Sequence, residues 1–122
     1  MKVFRYDERV GKKVEHFGSR EMRITPVIKM LDKQVSVFQT GCVYLGPGGR
    51  IGGHEAAVPQ LFLVVNGEGW VSAADEDRRL VTTGQAVYWA PGEWHEVTTE
   101  QGLTAIIMES DQLEPSGFLV EI

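Results

Sequence analysis

Cysteine is almost missing from this chain of 122 residues; Cys42 is the only one. No internal disulfide can form, so an apolar core has to hold the fold. The setting of Cys42 in TGCVYL predicts a buried, inert thiol, and no base or electropositive neighbour marks it as a nucleophile. Long apolar runs are also lacking, which excludes a membrane-spanning helix. Residues 1–17, MKVFRYDERVGKKVEHF, mix charges with isolated apolar residues and lack the apolar stretch of a signal peptide, so a cytoplasmic protein is expected. Positive charge is in deficit: 12 Lys and Arg stand against 17 Asp and Glu, a formal net charge of −5. No basic cluster interleaved with aromatics could follow a phosphate backbone, which argues against a nucleic-acid partner. Low-complexity tracts, linkers and strong repeats are absent, and no segment sustains helical spacing over three turns. At most, REMRITPVI begins with one short helical turn before Pro26.

What the chain has instead is a series of short runs rich in β-branched and aromatic residues: RITPVIKM, VSVFQTGCVYL, LFLVVN, WVSA, AVYWA, LTAIIM and FLVEI. These read as strands. Between them lies turn chemistry at 46–49 (GPGG), 66–69 (NGEG), 74–77 (ADED), 82–85 (TTGQ) and 91–94 (PGEW). Many short strands at close intervals predict an all-β barrel or sandwich of one domain over 1–122. In LFLVVN both alternating sets are apolar, so this strand is expected to be covered on both faces. The polar segment 1–34 is expected to lie along a sheet edge, on this chain or on a second copy, because open edges invite aggregation.

Only three histidines are available, His16, His54 and His95. His54 follows the glycine-rich GPGGRIGG and His95 follows PGEW. Each is placed by sequence at a turn-to-strand junction, where a polar side chain can point into a barrel mouth. His16 carries no such context.

At these residues the chain resembles the cupin superfamily. PGGRIGGHEAAVPQLFLVVNGEGWV is similar to the first cupin motif, G(X)5HXH(X)3-4E(X)6G, with Gly48 or Gly49 at the opening glycine, His54 at the first histidine, Gln60 at the acidic position and Gly67 at the closing glycine. GQAVYWAPGEWHEVTT is similar to the second, G(X)5PXG(X)2H(X)3N, with Gly84, Gly92 and His95 in register. The two motifs fall within 46–99. The resemblance implies a double-stranded β-helix, or jelly-roll barrel. It also implies an interior small-molecule or metal site, since full-pattern cupins hold a divalent transition metal through three histidines and one carboxylate. Here Ala56 replaces the second histidine, Gln60 the glutamate, Ala90 the proline and Thr99 the asparagine.

The metal set left by the resemblance is therefore His54, Gln60 and His95. Glu55 alternates to the opposite face and cannot replace the carboxylate. A dication there would keep its charge in a low-dielectric barrel, which predicts weaker binding than in the full pattern. Zinc, nickel or iron suits imidazole ligands, and the sequence does not choose among them. Phe62, Tyr88 and Trp94 are expected to line a ligand pocket, with Trp70 and Trp89 more often core. Glu93 and Glu96, beside His95, read as solvated loop charges. Three functions stay open: a metal-dependent enzyme such as a dioxygenase or isomerase, a metal-free small-ligand-binding barrel, or a barrel whose site has decayed. A homodimer is expected in each case.

Overall fold

The structure, a computed structural model, describes residues 1–122. Eleven strands follow one another: β1 (Lys2–Arg5), β2 (Lys12–Val14), β3 (Met22–Ile24), β4 (Phe38–Leu45), β5 (Arg50–Glu55), β6 (Gln60–Ala73), β7 (Glu76–Thr82), β8 (Gln85–Trp89), β9 (Trp94–Thr98), β10 (Leu103–Ser110) and β11 (Val120–Glu121). Helix is confined to two 3₁₀ turns, Glu8–Val10 and His16–Gly18. The helical turn expected before Pro26 does not form; Met22–Ile24 is strand and pairs with β2. No helix is long and apolar enough to cross a membrane.

The strands form an antiparallel double-stranded β-helix. One face runs β11-β1-β8-β6-β10-β4, and the other joins β5, β9, β6 and β7. Strand β6 belongs to both, because its first half pairs with β8 and β10 while its second half pairs with β7 and β9. The turn expected at 66–69 is therefore not a turn. The ladder to β10 goes from Ala105↔Val64 to Thr104↔Asn66, leaving Val65 as an extra residue. A one-residue bulge bends a strand and exchanges its faces. Thus Phe62 and Val64 point inward before the bulge, and Val71 does so after it. Glycine is required at the bend: Gly67 has φ 84°, and a Cβ there would lie 2.4 Å from the Gly102 carbonyl oxygen.

The interior holds Val3, Phe62, Val64, Val71, Val81, Val87, Trp89, Val97, Leu103 and Ala105. On the outer face Leu61, Leu63, Ala86 and Leu113 form a second cluster, joined by Tyr6, Ile28, Tyr88, Ile106 and Met108. Strand β6 is thus apolar on both sides from Leu61 to Val64 because each side meets a different core, whereas Val65 is exposed.

The opposite edge is open. β1 closes on β8 and β11, so the N-terminal segment covers that side of the sheet, while β4 pairs with β10 alone. Cys42 lies opposite Ile106 on the outer face of β4 and is exposed, which corrects the expectation of a buried thiol. With no element packed over that face, its apolar neighbours do not shield it. Phe38 and Tyr44 are exposed on the same face.

Candidate functional site

His95 is the second residue of β9, directly after the turn at 91–92 as expected, whereas His54 lies near the end of β5 rather than at its start. In the β5–β9 ladder Ile51 faces Val97 and His54 faces His95, so β5 carries one residue more than β9 between these pairs. Gly52 and Gly53 fill that bulge. The irregularity lets Ile51 and His54, three positions apart, share the inner face. Directly opposed residues of an antiparallel pair project to the same side. The imidazole centroids of His54 and His95 are 4.5 Å apart at an interplanar angle of 58°.

Each ring is held from behind. His54 Nδ1 lies 2.8 Å from the Gly52 carbonyl oxygen, and His95 Nδ1 lies 3.0 Å from that of Glu93. A carbonyl can only accept, so Nδ1 carries the proton in both rings, and the lone pair of each neutral imidazole is on Nε2. Their surroundings differ. His54 is exposed, whereas His95 is 1% exposed and stacked on Trp89 at 4.2 Å and 17°. Burial pushes the His95 pKa below its usual value. The Glu93 carbonyl and the charges of Glu93 and Glu109 oppose that shift, and His54 reinforces it.

This direction sets a pH dependence. The unfolded chain binds the His95 proton at the ordinary value near 6.5, more readily than the native state does. The contribution to stability is complete above that pH and is lost as pH falls towards the depressed native value. Thermal melts are expected to hold steady from pH 8 to about 7 and to decline below about 6.5, less steeply in His95→Gln. A decline identical in wild type and variant would assign it to other groups.

Gln60 opens β6 on the inner face, 7% exposed and opposite Trp89. Its Nε2 donates to Glu109 Oε2 at 3.3 Å. Glu109 was not singled out by the sequence reading. It faces Gln60 across the β6–β10 ladder, just as Ile107 faces Phe62, so it ends the inward series Leu103, Ala105, Ile107. The signal was a charged residue closing an apolar alternation, which became meaningful only once the register was known.

The aromatic expectations divide. Phe62 is fully buried against Trp89, with centroids 5.9 Å apart, and forms the floor below the histidines. Trp89 is fully buried, and its Nε1–H has no acceptor within the chain. Tyr88 points away from the histidines: it pairs with Leu61 and packs into the outer cluster, because strand alternation sends it to the side opposite Trp89. Trp94 is opposite Glu55, on the face away from the histidines, and its indole occupies the space where a side chain at Gly53 would lie. Trp70 stacks under Arg78. Glu93 is not merely solvated, since its carboxylate accepts from the Ala90 amide and the Met1 amino group. Glu96 pairs with Arg50 at the surface.

Residues 41–109 match the family described as "Cupin domain". The chain belongs to the cupin family. No curated protein matches its sequence. Among solved structures, this cupin is similar to a cupin-like protein of Thermotoga maritima, at 20% identity and a TM-score of 0.58 over 69% of this chain and 74% of that one. An RmlC-like cupin of Shewanella frigidimarina aligns at 22% identity and 0.57 over 61% and 66%. The DMSP lyase DddQ of Ruegeria pomeroyi aligns at 19% and 0.57, over 65% of this chain but 41% of that protein. At these identities the likeness is one of fold.

Two imidazoles with free Nε2 atoms and tethered Nδ1 atoms fit two positions around a transition metal, since ligating histidines almost always donate their second nitrogen in this way. No three His, Cys, Asp or Glu side chains already converge to hold one. A third protein donor has to come from a group now bonded elsewhere, and Gln60 and Glu109 are the polar side chains next on the inner face.

Proposed function

We propose that this cupin binds a small organic molecule at the barrel mouth, at a divalent transition metal held by Nε2 of His54 and of His95. The observation that supports this reading is the opposed imidazole pair, each Nδ1–H spent on a backbone carbonyl and each Nε2 left free. When bound, the metal supplies Lewis-acid polarisation of a substrate oxygen, the chemistry that dioxygenases and isomerases use. The chain's own contribution is to hold its ligands and exclude water. Stacking on Trp89 fixes the His95 ring plane, Phe62 keeps the floor dry, and Gln60 offers a polar group at the rim. On the inner face of β4, Gly41 stands opposite Ile107 and leaves room, with nothing within 4 Å of a Cβ built there.

Metal analysis of untagged protein tests the reading. A transition metal approaching one per chain is expected after incubation with zinc, nickel or iron. Protein that stays metal-free favours the second reading, a metal-free ligand site, in which the free Nε2 atoms of His54 and His95 accept hydrogen bonds from the ligand.

We further propose that a second copy of the chain covers β4, forming a homodimer. The strand has one unpaired edge, with exposed Phe38 and Tyr44 beside it, which is a template for pairing. Light scattering is expected to give twice the chain mass, reduced to one chain in Tyr44→Asp. A monomeric wild type would refute it.

A further inference from the structure

The family pattern loses its carboxylate at position 60, and the structure offers one a strand away. We infer that Glu109 is the carboxylate of this site, the third protein donor beside His54 and His95, and that Gln60 is its positioning residue. The inference deepens the metal reading above and rests on it.

Four observations converge. First, register puts Glu109 on the inner face directly opposite Gln60, so it projects where the side chain at the acidic position of the motif projects. Secondly, its only hydrogen bond from a side chain is that of the neutral Gln60 amide, at 3.3 Å, and none of the ion pairs in the structure includes it. A half-buried carboxylate at the end of an apolar series stays without countercharge unless a cation joins the site. Thirdly, two imidazoles and an amide leave a dication uncompensated, whereas two imidazoles and one carboxylate form the facial set that holds divalent iron and leaves open positions for substrate. Fourthly, an amide at 60 is what a carboxylate at 109 demands. Glutamate at both positions would set two like charges directly opposite across neighbouring strands, which is destabilising. An amide instead donates to Glu109 and holds it. The departure at Gln60 and the presence of Glu109 are thus two halves of one arrangement. The carboxylate now rests on Gln60, and donation to a metal requires it to leave that amide.

The test is metal binding rather than turnover. Nickel or zinc titrations of untagged wild type, Glu109→Gln and Gln60→Ala would be followed by calorimetry. Wild type is expected to bind one equivalent, Glu109→Gln to bind more than about 10-fold more weakly, and Gln60→Ala to lose less than Glu109→Gln does, since an outer partner acts through its ligand. Wild-type affinity in Glu109→Gln overturns the inference and leaves the histidine reading standing; a wild type that binds no metal removes both. A measurement on wild type guards against a variant that fails to fold. The ¹³C resonance of the Glu109 carboxyl should move when diamagnetic zinc is added, and a line that stays in place overturns the assignment.

Discussion

His95→Ala is expected to abolish metal retention and to weaken zinc or nickel binding by more than about 100-fold, because even the loss of an outer partner of a ligand costs roughly 10–100-fold. His54→Ala should lose metal to a similar degree, and His16→Ala should not. The two histidine variants are expected to part company in stability. His54 is exposed and tied only to the Gly52 carbonyl two residues away, so its removal exposes no core. His95 is buried and stacked on Trp89, so its removal leaves a hole against the indole and lowers the unfolding midpoint as well. Calorimetric titration gives the affinities and chemical denaturation gives the midpoints. Equal affinity in wild type and His95→Ala would remove the imidazole pair from the site.

The largest effect on folding is expected at Trp89. Its indole is fully buried between the Phe62 ring and the His95 ring, and it packs in the same cluster as Val87 and Val97. Trp89→Ala removes that contact surface from the core beside the histidines and is expected to cost about 3–5 kcal/mol, the range for large aromatic truncations in a core. Trp89→Phe keeps most of the apolar contact and also deletes the Nε1–H that has no acceptor. Its cost should be well below that of alanine, because an unpaired buried donor contributes a desolvation penalty that phenylalanine does not carry. Urea denaturation of the three proteins checks the order. A Trp89→Phe variant as unstable as Trp89→Ala would mean that the indole nitrogen is bonded, to water or to a ligand.

The match between sequence and structure follows how local each signal was. Strand identity and most turns depend on neighbouring residues, so 46–49, 74–77, 82–85 and 91–94 all hold turns where glycine, proline and aspartate placed them. NGEG at 66–69 has the same composition but sits inside β6. There the glycines serve a close approach of Gly67 and Gly69 to the backbone of Gly102 and Thr98, a contact with neighbouring strands distant in sequence and invisible to composition. The bulge at Gly52 and Gly53 is of the same kind, because it is measured against β9 and not within β5. Face assignment failed wherever it was not anchored by alternation from a buried strand. Trp94 was placed by its nearness in sequence to His95, and Tyr88 was counted among the aromatics around the histidines with no face assigned to it, yet adjacent residues of a strand point to opposite sides. Cys42 was judged by apolar neighbours, and burial depends on what covers a strand.

By itself the sequence determined that the chain is all-β, that its core is built on the doubly apolar stretch Leu61–Val64, and that His54, Gln60 and His95 are the polar residues carried by the two cupin motifs. The first two conclusions need only periodicity and short spacing, and the third rests on the resemblance of those stretches to the family's motifs. Tertiary structure decided that His54 and His95 face each other across β5 and β9, that Trp89 rather than Tyr88 or Trp94 is the aromatic partner of the histidines, and that Glu109 shares the inner face with Gln60. Each of these is a matter of register between strands distant in sequence. Register is set by bulges and by the packing of whole faces, and a slip of one residue would send every side chain of a strand to the other side.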